Sequence, residues 1–350
     1  MAYTLAPKTE ALTPYDPVEG EYRVRLDANE SFLLPTDTDR EKMARAAAEA
    51  ALNRYPDPLA TRLCEAFAAR YQVKPALVTA GNGSDELISI ILSTFLQKGE
   101  KVLTLSPDFS MYAFYTSITE TPCITLPKKP DMTVDVTAVI DTIRREGVRL
   151  LIFSNPCNPT SVGLPRDGVR RILRETDALV VLDEAYMDFW DQSLINEVEK
   201  YSNLIIFRTA SKAVGSAALR LGFAVANETI SRAVKAVKSP YNVNTFSQVV
   251  GSIIYKNKDY LKNRQKTIVR NREKLYNDLL ELSALSDDFK VYNSCANFVF
   301  VKTSFGKDLW NYLKDNSIVI RFMGDYIRIS VGTEEENEEL ISCIKTYLSR

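Results

Sequence analysis

The segment from Thr209 to Phe223 carries the side chain best suited to covalent chemistry, the amine of Lys212. Lys212 follows an apolar run at 204–207, lies among serine, threonine and glycine residues, and precedes Arg220 by eight residues. A lysine in a hydroxyl-rich loop after a buried strand is a candidate for a Schiff base with a carbonyl compound. Because most lysines are solvated surface residues, this segment alone also fits an ordinary exposed loop.

The segment GNGSDE at 81–86 could bind a phosphate group. Its two glycines allow the backbone to approach a ligand closely, and Ser84 or Asp85 is predicted to cap a helix that follows. The N–H groups and the dipole of a helix N-terminus attract anions. A tight turn before a capped helix is the structural alternative. Asn82 does not complete a dinucleotide-binding fingerprint, so a dinucleotide cofactor is not predicted.

Two further segments follow apolar runs and could hold a flat ring. SPDFSMY at 106–112 offers Phe109 or Tyr112 for stacking, although packing in the core is the commoner role of a single aromatic residue. In SNPCNPTSVG at 154–163, two Asn-Pro pairs fix a turn. That turn either aims Asn158 at a ligand or is purely structural.

Asp183 ends the apolar run of LVVLDEAYMDF at 179–189. A buried carboxylate is costly unless a cation pairs with it, and a protonated ring nitrogen would be such a cation. Binding of backbone groups or Mg²⁺ is the alternative. A phosphate cradle, an aromatic platform, an asparagine, a buried aspartate and then a lysine follow one another along the chain. This order fits pyridoxal phosphate, which needs a Schiff-base lysine and an acidic or arginine partner for its ring nitrogen.

The composition excludes several classes of function. The 350 residues include 44 lysines and arginines against 45 acidic residues, so neither a nucleic-acid partner nor a basic membrane-binding surface is expected. Neither a membrane-spanning run of about 20 apolar residues nor a signal peptide is predicted. The five scattered cysteines predict reduced thiols and a cytoplasmic location. Without histidine, Ser-His-Asp catalysis and His-ligated zinc are excluded, and no metal site is expected.

Short apolar runs alternate with helical patterns through the middle of the chain, which predicts an α/β fold with a mostly parallel sheet covered by helices on both faces. Ligands bind such sheets at the carboxyl ends of the strands, where the segments above all fall. A smaller α+β unit is predicted near the C-terminus. The predicted division is an N-terminal arm at 1–30, helices of the small domain at 31–72, a large cofactor-binding domain at 73–245, and a linking helix with the C-terminal small domain at 246–350.

The whole chain resembles the fold type I pyridoxal-phosphate aminotransferases, and more narrowly the histidinol-phosphate aminotransferases. The motifs that carry the resemblance are LTPY at 12–15, LDANES at 26–31, RYPDP at 54–58, GNGSDE, SNPCNPT, DEAY, the Ser-Lys pair at 211–212 and YIRISVGT at 326–333. The resemblance implies transfer of an amino group between glutamate or 2-oxoglutarate and L-histidinol phosphate. It also implies a homodimer with shared active sites.

The resemblance implies roles around the cofactor ring. Lys212, Asp183 and Tyr186 would be the catalytic residues. Lys212 would carry the cofactor and move the proton, while Asp183 would keep the ring nitrogen protonated. Asn158 and Tyr186 would bind the phenolic oxygen of the ring, and Phe109 would stack on it.

The resemblance also assigns the phosphate and the substrate. Ser84, Asp85, Ser211 and Arg220 would surround the cofactor phosphate, which Tyr55 of the other subunit would also reach. The substrate-binding residues would be Tyr15, Asn29, Arg321 and Arg328, with Arg328 binding a carboxylate.

The residues themselves leave both arginines open: the position of Arg328 on one face of a strand is compatible with a pocket but does not require one, and Arg321 fits a pocket or the surface equally. Two residues depart from the usual pattern: Ser161 and Ala218 stand where glycine is usual. Both should be tolerated if their φ angles are negative. Related reactions remain as alternatives, namely threonine-phosphate decarboxylation and transamination of aromatic amino acids, as does a catalytically silent homologue.

Overall fold

The computed structural model describes residues 3–10, 12–14 and 18–350. The strands are β1 (Val24–Leu26), β2 (Val78–Asn82), β3 (Lys101–Ser106), β4 (Cys123–Pro127), β5 (Val148–Ser154), β6 (Leu179–Asp183), β7 (Leu204–Thr209), β8 (Leu221–Ala226), β9 (Lys290–Val291), β10 (Phe298–Lys302), β11 (Ile318–Phe322) and β12 (Tyr326–Ser330). They form a seven-stranded sheet in the order β2-β8-β7-β6-β5-β3-β4 and a five-stranded sheet in the order β1-β11-β12-β10-β9.

The α-helices surround these two sheets. They are α1 (Pro7–Glu10), α2 (Asp37–Ala48), α3 (Thr61–Tyr71), α4 (Ser84–Thr94), α5 (Met111–Ile118), α6 (Val136–Glu146), α7 (Arg166–Glu175), α8 (Glu228–Val237), α9 (Thr245–Lys256), α10 (Lys258–Ser283), α11 (Gly306–Asp315) and α12 (Glu334–Leu348). Among the described helices, none is long and apolar enough to cross a membrane.

The seven-stranded sheet confirms the predicted α/β class. Strands β3 to β7 are parallel, whereas β8 runs antiparallel to both β2 and β7. Alternate residues of the fully buried β7 enter different cores: Leu204 and Ile206 pack with α3, α6 and α7, while Ile205 and Phe207 pack with α4, α5 and α8. Burial on both faces explains why these strands read as continuous apolar runs.

The two faces of the five-stranded sheet differ in what they pack against. Val299, Ile327 and Ile329 pack on α10, α11 and α12 in a second core. Residues between them in sequence, such as Arg328, lie on the opposite face because side chains alternate along a strand. That opposite face carries aromatic as well as polar side chains, since Phe300 lies directly opposite Arg328 on the neighbouring strand.

Three local features of the helices could not be read from the sequence pattern. The region expected to hold one linking helix contains two, α9 and α10, because Asn257 separates them and caps α10 by accepting a hydrogen bond from the amide of Tyr260 at 3.1 Å. Helix α2 is capped by Thr36. Helix α8, which was not predicted, covers one face of the large sheet.

Candidate active site

Asp183 lies at the carboxyl end of β6 and is only 3% exposed. The Tyr112 hydroxyl donates a hydrogen bond to its Oδ2 at 2.8 Å, and the amide of Ala185 donates to its Oδ1 at 3.0 Å. Among the described residues, no lysine or arginine forms an ion pair with this carboxylate. Burial raises the pKa of Asp183 from 3.8 to about 6, although these two hydrogen bonds lower it. The site thus lacks a cation that a protonated ring nitrogen would supply.

The N-terminus of α4 faces the chain segment that carries Arg220. Gly83, with a φ of +84°, occupies the N-cap position, and no side chain caps the helix. The prediction that Ser84 or Asp85 is the cap was therefore wrong: they are the first two helical residues. Arg220 Nη2 lies 3.5 Å from the Asp85 carboxylate. Uncapped amides beside a guanidinium form a site suited to a phosphate.

The close packing of β8 against this helix end leaves no room for a larger residue. A Cβ atom on Gly222 would lie 2.4 Å from the backbone carbon of Gly83 and 2.5 Å from the amide nitrogen of Ser84. Gly222 pairs with Thr209 on β7, and the Thr209 hydroxyl accepts from the amide of Ser211 at 3.1 Å. The sheet thus places the loop with Ser211 next to the helix end.

Lys212 lies in the loop after β7, beside residues of the N-terminal segment. Its Nζ donates a hydrogen bond to the carbonyl oxygen of Ala28 at 3.1 Å and lies 5.8 Å from the centre of the Tyr186 ring. The Tyr186 hydroxyl accepts from Asn29 Nδ2 at 3.1 Å. Asn29, in turn, accepts from the Ser330 hydroxyl at 3.0 Å. Lys212, Tyr186 and Asn29 are therefore brought together.

The five-stranded sheet contributes two arginines. Arg328 donates from Nη1 to Asn158 Oδ1 at 2.6 Å and from Nη2 to the carbonyl oxygen of Asp27 at 2.7 Å. Arg321 lies directly opposite Arg328 on the neighbouring antiparallel strand, so both side chains share one face of the sheet. Among the described residues, no hydrogen bond or ion pair is formed by the Arg321 side chain. The face that carries both guanidinium groups is the face that meets Asn158.

Phe109 lies at the same edge of the large sheet, after β3. Its half-buried ring packs edge-to-face on Tyr112, with ring centres 5.6 Å apart. The sequence favours stacking or core packing for the aromatic residues of this segment. It does not predict the hydrogen bond from Tyr112 to Asp183, because that bond depends on how α5 packs against the end of β6.

Two predicted residues are not brought to this group. Tyr55 is 81% exposed, and its ring stacks on that of Tyr241 with centres 4.6 Å apart rather than on another predicted site residue. Tyr15 lies outside the described residues.

The expectation for the two glycine replacements holds for only one of them. Ala218 lies in a short turn and does not adopt a positive φ, whereas Ser161 has a φ of +60°. The Ser161 hydroxyl donates to the carbonyl oxygen of Asn293 at 3.0 Å, and its own carbonyl oxygen accepts from the amide of Cys295 at 2.8 Å. These contacts hold the left-handed conformation in place.

A sheet of this topology, with its polar groups at the carboxyl edge, defines the fold of the type I pyridoxal-phosphate aminotransferases. The aminotransferase class I and II family model matches residues 23–344, so the chain belongs to this family.

Similar proteins cover essentially the whole chain. This chain is 40% identical over 337 residues to a histidinol-phosphate aminotransferase of Clostridium novyi. The matched region covers 95% of this chain and 94% of that protein. A histidinol-phosphate aminotransferase of Clostridium kluyveri is 36% identical, and the match covers 97% of each chain. The fold is shared with the crystal structure of histidinol-phosphate aminotransferase from Sinorhizobium meliloti in complex with pyridoxal-5′-phosphate, with a TM-score of 0.88, 23% identity, and coverage of 99% of this chain and 98% of that one.

Proposed function

We propose that the protein is a pyridoxal-phosphate-dependent aminotransferase that moves an amino group between glutamate or 2-oxoglutarate and L-histidinol phosphate or imidazole acetol phosphate. The observation that carries the proposal is that Asp183, a buried carboxylate without a cationic partner among the described residues, lies at the same sheet edge as the loop of Lys212. The full-length similarity to histidinol-phosphate aminotransferases supports the choice of substrates.

The donor set fits the cofactor. Asp183 would pair with the ring nitrogen, Asn158 and Tyr186 would bind the phenolic oxygen, and Phe109 would cover the ring. Lys212 would hold the cofactor through its amine. When bound, pyridoxal phosphate supplies an electron sink for the electron pair released at the substrate α-carbon.

The phosphate of the cofactor would bind at the N-terminus of α4. Ser84 and Asp85 contribute the first helical amides, while Ser211 and Arg220 contribute a hydroxyl and a guanidinium. Each is a hydrogen-bond donor, and the guanidinium adds positive charge, so the group matches a doubly charged anion. Tyr55, exposed on its own subunit, would reach this phosphate in the other subunit of a homodimer.

Proton transfer would be performed by the amine of Lys212. The chain contains no histidine, and Lys212 Nζ is the basic atom beside Tyr186. Lys212 would take the proton from the substrate α-carbon and deliver a proton to the C4′ carbon of the cofactor. The hydrogen bond from Asn29 orients the Tyr186 hydroxyl beside this amine.

The substrate anions would bind the face of the five-stranded sheet that carries Arg328. Glutamate carries two carboxylates and histidinol phosphate carries a phosphate, and Arg321 and Arg328 present two guanidinium groups side by side. Arg328 would bind the carboxylate next to the reacting carbon, because it contacts Asn158. Arg321, Asn29 and Tyr15 would line the remainder of the pocket.

The five cysteines are all free thiols, which supports a reducing, cytoplasmic location. The substrates would be small molecules, and the assembly would be a homodimer that shares its active sites.

A half-reaction experiment tests the proposed function. Protein reconstituted with pyridoxal phosphate is mixed separately with glutamate, L-histidinol phosphate, phenylalanine and threonine phosphate, and the absorbance of the cofactor is followed. We expect conversion to the pyridoxamine form with glutamate and histidinol phosphate, and none in a Lys212→Ala variant. Preferential conversion by phenylalanine, or release of CO₂ from threonine phosphate, would contradict the proposal.

A further inference from the structure

Behind the proposed cofactor site lies a buried cluster that the proposed reaction does not use, formed by Lys128, Asp108 and Cys157. The side chains of Lys128 and Asp108 are each 2% exposed, and Cys157 is also 2% exposed. Lys128 Nζ lies 2.7 Å from Cys157 Sγ, 2.8 Å from the carbonyl oxygen of Pro107 and 3.4 Å from Asp108 Oδ2. The amine and the thiol are thus held against each other inside the protein.

The contact between nitrogen and sulfur is unusually close for a hydrogen bond. Hydrogen bonds from N–H to oxygen centre at about 2.9–3.0 Å, and sulfur is a larger atom than oxygen. A separation of 2.7 Å between Lys128 Nζ and Cys157 Sγ is instead suited to two atoms that share a single bridging atom. A direct bond between nitrogen and sulfur would require the two atoms to move much closer.

We propose that Lys128 and Cys157 form an oxidative cross-link in which one oxygen atom joins Nζ to Sγ. The oxidant is molecular oxygen. New N–O and O–S bonds form, while one N–H bond, the S–H bond and the O–O bond break. The second oxygen atom leaves as water with the two hydrogens. Nitrogen and sulfur each lose two electrons, and dioxygen gains all four. Two equivalents of a dithiol reverse the step: each is oxidised to a disulfide and supplies two electrons and two hydrogens, which regenerates the amine and the thiol and releases the bridging oxygen as water.

The proton balance involves Asp108. Burial alone would lower the pKa of Lys128, but the neighbouring Asp108 carboxylate and Cys157 hold that pKa above its usual value. Lys128 is therefore an ammonium in the reduced protein, and Asp108 is the adjacent group that can accept its proton before the N–O bond forms. Burial also raises the pKa of the Cys157 thiol, which favours the thiol over the more reactive thiolate.

The cross-link would act on two residues of the proposed cofactor site. Asp108 accepts hydrogen bonds from the amide of Phe109 at 2.8 Å and from the amide of Ser154 at 3.2 Å. The Ser154 hydroxyl accepts from the amide of Asn158 at 3.0 Å. Once Lys128 has given its proton to Asp108 and joined the cross-link, the ion pair between the two side chains no longer exists, and Asp108 then positions Phe109 and Asn158 less firmly.

Mass spectrometry tests the cross-link directly. The full-length protein, loaded with pyridoxal phosphate, is incubated under oxygen and analysed without reductant. We expect the intact chain to gain one oxygen and lose two hydrogens, and proteolysis to yield one peptide pair joined through Lys128 and Cys157. Both signals should disappear after dithiothreitol. Three results would overturn the proposal. They are alkylation of Cys157 in the unfolded protein after incubation under oxygen, a sulfinic acid at Cys157, and a direct N–S link without oxygen.

Variants separate this pair from other oxidisable groups. Lys128→Arg keeps the charge beside Asp108 but removes the amine, and Cys157→Ser removes the thiol; the cross-linked species should be lost in both. The matched controls are Lys129→Arg and Cys123→Ser. Lys129 is an exposed lysine next to Lys128 in sequence, and Cys123 is an exposed cysteine, so the cross-link should persist in both variants. Should a variant fail to fold, the peptide map of the wild-type protein still decides the question.

The effect on the cofactor is measured separately, because only this part rests on the proposed function. We expect several-fold faster release of pyridoxal phosphate from the cross-linked protein than from the same sample after dithiothreitol. An unchanged release rate in a protein whose cross-link is established by mass would overturn the link between the cluster and the cofactor site.

Discussion

The carboxylate of Asp183 makes the stability of the cofactor-free protein depend on pH. Its pKa in the folded protein is about 6 against 3.8 ordinarily, so the folded state binds this proton more tightly than the unfolded state. The stabilising contribution is full below about pH 4, falls as the pH rises through about 6, and amounts to ~3 kcal/mol. We expect the free energy of unfolding in urea to fall between about pH 4 and pH 7 in the wild type. In Asp183→Asn, the fall over the same range should be smaller by about this amount.

The control for this measurement is Asp141→Asn, since Asp141 is exposed on α6. Its pH dependence should match that of the wild type. Parallel curves for the wild type and Asp183→Asn would show that Asp183 is not the group that takes up the proton.

The two opposed arginines should differ in which substrate they serve. Arg328 contacts Asn158, whereas Arg321 has no hydrogen-bond partner among the described residues and is thus available to a more distant anionic group. A hydrogen bond to a charged group contributes roughly 1.5–3 kcal/mol, or a factor of roughly ten to a hundred. We expect Arg328→Lys to lower kcat/KM for glutamate by such a factor.

For Arg321→Lys we expect kcat/KM to fall by a similar factor for both glutamate and histidinol phosphate, because both carry an anion remote from the reacting carbon. Arg174→Ala, at an exposed position on α7, serves as the control in steady-state kinetics with each substrate. Equal, small effects of all three substitutions would argue against an anion site on this face.

At the scale of elements, the large sheet was predictable because its strands are short apolar runs that end in polar residues. Asp183 and Ser154 end two such runs, and parallel strands place their carboxyl ends at one edge. The antiparallel direction of β8 was not predictable, since an apolar run has the same composition in either direction. The group of Asp108, Lys128 and Cys157 also escaped notice, because it depends on how three separate loops pack.

The N-terminus of α4 is a second feature that the sequence did not predict correctly. Sequence favoured Ser84 or Asp85 as the helix cap, since both residue types commonly occupy that position. The structure instead places Gly83 at the cap position, with a positive φ that favours glycine. A Cβ atom at this position would also lie only 2.8 Å from Arg220 Nη2. Packing against β8, which a linear sequence does not reveal, decided the outcome.

The contact between β8 and α4 leads to a prediction about Gly222. In Gly222→Ala the new methyl group would collide with the backbone of Gly83 and Ser84, so strand and helix end must separate. We expect a loss of ~1–3 kcal/mol in unfolding free energy, typical of overpacking, and weaker binding of pyridoxal phosphate in a fluorescence titration. Gly306→Ala is the control, because its Cβ would meet nothing closer than 3.4 Å. Unchanged affinity in a folded Gly222→Ala protein would contradict the proposed phosphate site.

At the scale of the whole molecule, the candidate site lies where the two sheets meet. Arg328 of β12 reaches Asn158 after β5, and Asn29 after β1 reaches Tyr186 after β6. Each contact joins residues more than one hundred positions apart in sequence. The geometry of the site therefore depends on both sheets. The residues proposed to bind substrate and those proposed to bind cofactor move together only if the sheets do.

The exposed Tyr55 gives a test of whether two subunits share each active site. If Tyr55 serves the other subunit, a dimer of one Lys212→Ala chain and one Tyr55→Phe chain contains one site with both residues intact. Random mixing then restores about a quarter of the wild-type sites. If Tyr55 serves its own subunit, no site in the mixed dimer is intact. We expect the two variants, unfolded together and refolded at equal concentration, to recover aminotransferase activity toward that level. Tyr55→Phe keeps the ring that stacks on Tyr241, so the subunit surface is preserved. The same variants refolded separately and combined afterwards serve as the control, and a mixture no more active than this control would rule out a shared site.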